Sequence, residues 1–122
     1  MPSPAVSDPF AIAAELLFPK RESDVVLISD HASRLEREWQ KVARDKQVEP
    51  SGDWFVWLAL AGRGWGKTRV GAEYSRKKAL AVPNQRIAVI APTYADARDT
   101  CVEGESGLLS VIPSELVSKW NR

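Results

Sequence analysis

Trp54-Phe55-Val56-Trp57-Leu58-Ala59-Leu60, followed at once by Ala61-Gly62-Arg63-Gly64-Trp65-Gly66-Lys67-Thr68, is the stretch on which the fold turns. The first seven residues are aromatic or aliphatic throughout, the composition of a strand buried on both faces. Ala61 to Gly66 is a glycine-rich loop, and Lys67 to about Ala81 reads as a helix ended by Pro83. The loop matches the phosphate-binding pattern G-x-x-x-x-G-K-[ST], with Ala61 in place of the first glycine. The chemistry explains the spacing. Four residues between two small ones let backbone N–H groups wrap a phosphate, and the helix that follows adds the partial positive charge of its N-terminus. Gly62, Gly64, Trp65 and Gly66 supply that backbone, Gly66 allowing close approach. Lys67 reaches the β- and γ-phosphates, and the Thr68 hydroxyl is the expected Mg²⁺ ligand. The expected cofactors are therefore ATP and Mg²⁺.

Downstream, Arg86 to Ala91 reads as a second buried strand stopped by Pro92. Thr93 can cap a helix from about Tyr94 to Val102, Gly104 to Gly107 is a loop, and Pro113-Ser114 opens a short helical turn. Upstream, Met1 to Pro9 is a loose tail, and Ser7-Asp8-Pro9 opens a short apolar helix over Phe10 to Phe18. Val25 to Ile28 is compatible with strand or helix. Ser29 or Asp30 then caps an amphipathic helix in which Ala32, Leu35, Trp39 and Val42 or Ala43 share a face. Residues 46 to 53 connect it to the first strand. The order strand, glycine loop, helix, strand, helix predicts an α/β fold with a parallel sheet and right-handed crossovers. The specific expectation is a RecA-like P-loop NTPase sheet, incomplete, preceded by N-terminal helices. Residues 1–45 form the tail and helical segment, and 46–122 the front part of the ATPase domain.

A chain of 122 residues accommodates one core, and 44% hydrophobic with 27% charged residues is ordinary globular usage. There is no run of 18 apolar residues and no secretory leader pattern, so no membrane association is expected and the cytoplasm is the expected location. The single cysteine, Cys101, fits a reducing compartment. Net charge is +1, but the basic residues concentrate in Arg63, Lys67, Arg69, Arg76, Lys77, Lys78 and Arg86, with only Glu73 among them. Such a patch either attracts phosphate or is a solvated helix face.

Ala43-Arg44-Asp45-Lys46-Gln47, then Gly52-Asp53-Trp54, then Leu60 through Glu73, and finally Arg86 through Thr100 together resemble the large terminase subunit of tailed bacteriophages and gene transfer agents. The resemblance covers roughly residues 30 to 122. It implies the start of an ATPase motor that drives double-stranded viral DNA into a procapsid in a bacterial host cell. The implied partners are duplex DNA, the portal, the small terminase subunit and further copies in a ring. Lys67 and Thr68 match the family's phosphate and magnesium residues. Arg63 matches an arginine inside the loop that contacts or senses the γ-phosphate, and is the implied catalytic group. Gln47 stands where related motors place a glutamine that reads the adenine edge; the alternative is a polar loop residue. Ala91-Pro92-Thr93 resembles a segment that couples nucleotide state to nucleic acid, or is a strand end and helix cap.

Hydrolysis needs more than the loop supplies. A phosphoryl-transfer ATPase also uses an acidic residue at the end of another apolar strand, and no such strand follows Thr68. The lookalike Val25 to Asp30, followed by His31, precedes the loop and reads better as core plus helix cap. The family would continue through an acidic strand, a catalytic glutamate and nuclease carboxylates. The chain therefore looks like the front of a motor subunit, inactive alone, from a truncated, decayed or mis-delimited gene. The alternatives are a nucleotide-binding or assembly module without catalysis, or a fragment of another P-loop kinase or helicase. Trp54 and Trp57 are expected on opposite faces of their strand, either in the core or stacked on adenine. Trp65 either covers the nucleotide or a neighbouring subunit, or simply packs. His31 reads as an exposed first-turn residue, Cys101 as a small buried hydrophobe, and Arg98 as a surface salt-bridge partner or a trans-acting arginine.

Overall fold

The computed structural model describes residues 14–16 and 22–121. Helix α1 spans Glu22–Val42, and Glu22 and Asp24 in its first turn complement the positive end of the helix. It absorbs Val25 to Ile28, so these residues are helical rather than extended. The reason is visible in their exposure: Val25 and Val26 are open to solvent, while Ile28 reaches the core. Trp39 is buried on the same side, and Val42 points to solvent. A 3₁₀-helical turn, Asp45–Gln47, follows.

Helix α2 spans Lys67–Ala81, the bounds its sequence predicts. Beyond it come α3 (Tyr94–Asp96), a π-helical turn (Ala97–Val102), α4 (Leu108–Val111) and a second 3₁₀-helical turn (Ser114–Leu116). Thr93 caps α3, its Oγ1 accepting from the Asp96 N–H at 3.0 Å. Strand β1 (Ala14–Leu16) pairs antiparallel with β2 (Val117–Trp120), with an irregularity between Glu15 and Leu16. This corrects the helix expected over Phe10 to Phe18 at its centre. The rest of that segment and the Met1 to Pro9 tail lie outside the described residues.

The segments Trp54 to Leu60 and Arg86 to Ala91 form no strand pairing. Phe55 is fully exposed, and Leu60 and Ile90 are 85% and 90% exposed. An apolar stretch becomes a strand only where a neighbour accepts its backbone hydrogen bonds, and these two segments do not do so for each other. Trp54 and Trp57, expected on opposite faces, meet edge to face at 6.1 Å and both contact Tyr74 of α2. Irregular backbone removes the two-residue alternation that would have separated them.

The core lies between α1, α2 and the C-terminal elements. Ala72, Val111, Ile112 and Leu116 are buried together, with Ile28, Leu80, Leu108 and Val117 against them. Beside it runs an ionic seam. The buried Arg76 donates to Glu73 and to Glu36 of α1, both at 2.9 Å, and Glu73 also accepts from Arg69 at 2.9 Å. Lys77 and Lys78 both reach Glu49, at 2.9 and 3.2 Å. The basic run of α2 is thus paired with Glu36 and Glu49, distant in sequence: Arg76 is buried, while Lys77 and Lys78 remain about two-fifths exposed, a partly solvated face with counter-ions.

Lys77 holds the Glu49 carboxyl below its ordinary value of 4.5, and Glu49 holds the Lys77 ammonium above 10.5. Glu49 therefore contributes stability that is complete above pH 4.5 and is lost as pH falls through its lowered folded value. Lys77 contributes stability that is complete below pH 10.5 and is lost as pH rises through its raised folded value. Because Lys77 is 40% exposed, solvent screening limits the pair to about 1 kcal/mol or less. Glu49→Gln should flatten the acid limb of the stability profile by that amount, read from urea unfolding at pH 7 and in the acid range. An acid limb identical to wild type would overturn this.

Candidate functional site

The glycine-rich loop is a real turn: the Trp65 N–H donates to the Gly62 carbonyl at 3.4 Å, and Gly64 and Gly66 have φ of +83° and +95°. Gly66 caps α2, whose first internal bond runs from the Val70 N–H to the Gly66 carbonyl at 3.0 Å. The backbone N–H groups ahead of Val70 have no acceptor within the helix, the arrangement that favours an anion. Arg63, Gly64, Gly66, Lys67, Thr68 and Arg69 form one wall of an open cleft of about 550 Å³. Asp99, Thr100, Gly104, Glu105 and Ser106 form the other. That volume lies within the range of small-molecule sites.

Five of the residues chosen from sequence, Arg63, Gly64, Gly66, Lys67 and Thr68, thus share one cleft. Ala61, Gly62, Trp65 and Gln47 do not line it. The carbonyls of Ala61, Gly62 and Trp65 are held from within the loop and from the turn that carries Gln47. The Lys67 ammonium donates to the carbonyls of Ala61 (2.8 Å) and Gly62 (3.0 Å). The Trp65 carbonyl accepts from Gln47 Nε2 at 2.6 Å and from Arg44 Nη2 at 2.8 Å. Gln47 Oε1 in turn accepts the Arg44 backbone N–H at 2.8 Å. Arg44, which belongs to the run that resembles the terminase family, was not foreseen as a site residue.

The far wall was also not foreseen. Its one sequence signal is Gly104, where a Cβ would sit 2.6 Å from the Thr100 carbonyl, so only glycine permits the tight reversal after the π-helical turn. Arg98 pairs with Asp99 next to it and lies over Tyr94. Burial and the nearby Asp96 push the Cys101 thiol up, which keeps it protonated and poorly nucleophilic. His31, expected to be exposed, is only 12% exposed and bridges Arg34 and Glu115. Among the described residues, no cluster of His, Cys, Asp or Glu could by itself hold a metal ion. Nor, among the described residues, is any helix long and apolar enough to cross a membrane.

Within the glycine-rich loop, Gly66 is hemmed in where Gly62 and Gly64 are open. A Cβ there would lie 3.1 Å from Gln47 Nε2 in a backbone conformation that L-residues avoid. Gly66→Ala should cost about 1–2 kcal/mol from the backbone alone and weaken phosphate binding besides, measured by urea unfolding and nucleotide titration. Wild-type values in both would refute this account of the loop. Against protein-family models, curated proteins and solved structures, the chain finds no match.

Proposed function

We propose that the chain binds the triphosphate of ATP, with Mg²⁺, between the glycine-rich loop and the start of α2. We further propose that it is the nucleotide-binding front of a DNA-packaging motor of the terminase kind. The observation that carries the binding reading is the convergence of Arg63, Lys67 and Thr68 on one cleft at the N-terminus of a fifteen-residue helix. The donor set suits a polyphosphate: guanidinium and ammonium groups, a hydroxyl, and backbone N–H groups without helical acceptors. Lys67 would exchange two loop carbonyls for phosphate oxygens, trading neutral acceptors for charged ones. Thr68 is the residue to hold Mg²⁺, which when bound neutralises the β- and γ-oxygens. Arg63, which lines the same cleft, would act there by stabilising the charge that develops as a γ-phosphoryl group leaves.

The motor reading rests on the resemblance carried by residues 43–47, 52–54, 60–73 and 86–100. Duplex DNA, portal, small subunit and a ring of copies belong to that reading, as does the completion of a parallel sheet around Trp54 to Leu60 and Arg86 to Ala91. The test of the binding reading is Mg-ATP titration followed by thermal unfolding, with Lys67→Ala as control. The motor reading is tested by ATP turnover with and without duplex DNA in the product of the whole reading frame. Stimulation supports the motor; binding with no turnover under either condition favours a nucleotide-binding module.

A further inference from the structure

We infer that Gln47 acts by positioning the phosphate loop rather than by reading the nucleobase, so that its contribution to binding falls on the Mg-triphosphate group and is the same whatever base that group carries. The inference rests on the nucleotide-binding reading above. Its first support is the state of the Gln47 amide. Oε1 accepts from the Arg44 N–H at 2.8 Å and Nε2 donates to the Trp65 carbonyl at 2.6 Å. Reading a base edge needs the same two atoms presented to the ligand. Gln47 is 7% exposed and does not line the cleft, and the small pocket that it does line, with Trp39, Val48, Trp57 and Tyr74, includes no residue of the glycine-rich loop.

The second support is peptide geometry. In a planar trans peptide the carbonyl of one residue and the N–H of the next point in opposite directions. Holding the Trp65 carbonyl back against Gln47 and Arg44 therefore aims the Gly66 N–H the other way, and Gly66 lines the cleft. A phosphate needs that N–H and is repelled by that carbonyl. Glycine at 66 leaves φ nearly free, so this peptide can turn over with little displacement of its neighbours. The brace removes that freedom. Both donors belong to the 3₁₀-helical turn that follows α1 and its leading residue, so the orientation of one loop peptide is anchored by side chains lying 18 and 21 residues earlier in the chain.

The test compares calorimetric titrations with Mg-ATP, Mg-GTP and Mg-tripolyphosphate, the last having no base. Gln47→Ala should weaken all three by one common factor of about ten, the worth of one buried hydrogen bond. Arg44→Ala, at an exposed position, should weaken all three about threefold. Gln47→Glu should bind poorly at pH 8 and approach wild type measured at the same pH as acid protonates it, because the carboxylic acid regains the lost donor. If Gln47→Ala does not fold, the other two variants carry the test. A loss confined to ATP, with tripolyphosphate unaffected, would show base reading and overturn the proposal, as would no change with any ligand. Equal binding by wild type and Lys67→Ala, or none by wild type, would instead remove the nucleotide-binding reading, and the proposal with it.

Discussion

Mg-ATP at a hundred times its dissociation constant should raise the melting temperature of the wild-type chain by about 10 °C, and Lys67→Ala should abolish the shift. A ligand at that excess, bound only by the folded form, adds about 2.7 kcal/mol. For a chain of this size each kcal/mol is worth roughly 4 °C. Lys67 is the single positive charge whose position is dictated by both the loop and the helix, since its ammonium already lies within 3.0 Å of the Ala61 and Gly62 carbonyls. The unliganded variant should differ from wild type by about 1 kcal/mol or less, because those two bonds are exposed and water replaces them. Calorimetry of both proteins with and without nucleotide separates the two effects. A shift that survives in Lys67→Ala would mean that the phosphates lie elsewhere.

Arg76→Ala should cost about 3 kcal/mol, the low end for breaking a buried ion pair, because Glu73 keeps Arg69 and Glu36 keeps Lys77 at 3.8 Å. Arg76 is 1% exposed and Glu73 is 5% exposed, and the guanidinium bonds both Glu73 and Glu36 of α1. Against a total of about 5–15 kcal/mol for an ordinary domain, such a loss brings the variant close to unfolding. The double variant Arg76→Met with Glu73→Leu should recover much of it, because an apolar pair of similar volume needs no counter-ion. Lys78→Ala, by contrast, removes a partly exposed contact and should cost no more than about 0.5 kcal/mol. Urea midpoints for the three variants decide the matter. A loss below 1 kcal/mol for Arg76→Ala would mean that water reaches the seam.

Local chemistry was legible in the sequence, and pairing was not. The loop, the bounds of α2 and the Thr93 cap depend on residues within a few positions of one another, and their signals lie in short windows. The apolar character of Trp54 to Leu60 and Arg86 to Ala91 was equally plain. Whether such segments become strands depends on neighbours that a local window does not contain, and here they stand unpaired. The same limit hid β1 and β2, whose partners are a hundred residues apart. It also hid Glu36 and Glu49 as counter-ions of Arg76, Lys77 and Lys78. Gln47 was noticed for its distance from the loop, but its amide contacts became visible only in three dimensions. The contact of Arg44 with the loop, and the far wall of the cleft, left no motif because a backbone carbonyl accepts from any donor that reaches it.

The π-helical turn at Ala97–Val102, closed by the Glu103 N–H on the Arg98 carbonyl at 2.8 Å, has an implication for how related chains should be compared. A helix widened in this way holds one more residue than α-helical bonding would, which makes it an insertion absorbed without a loop. Each helical residue turns the chain by about 100° and advances it about 1.5 Å. Removing one would swing Glu105 and Ser106 away from the loop they face, against the tether between Trp120 Nε1 and Glu103 Oε1 at 2.7 Å. A relative one residue shorter here would keep its glycine-lysine-threonine signature intact and still have a differently shaped cleft. An alignment that places gaps freely in this turn would score the two as equivalent.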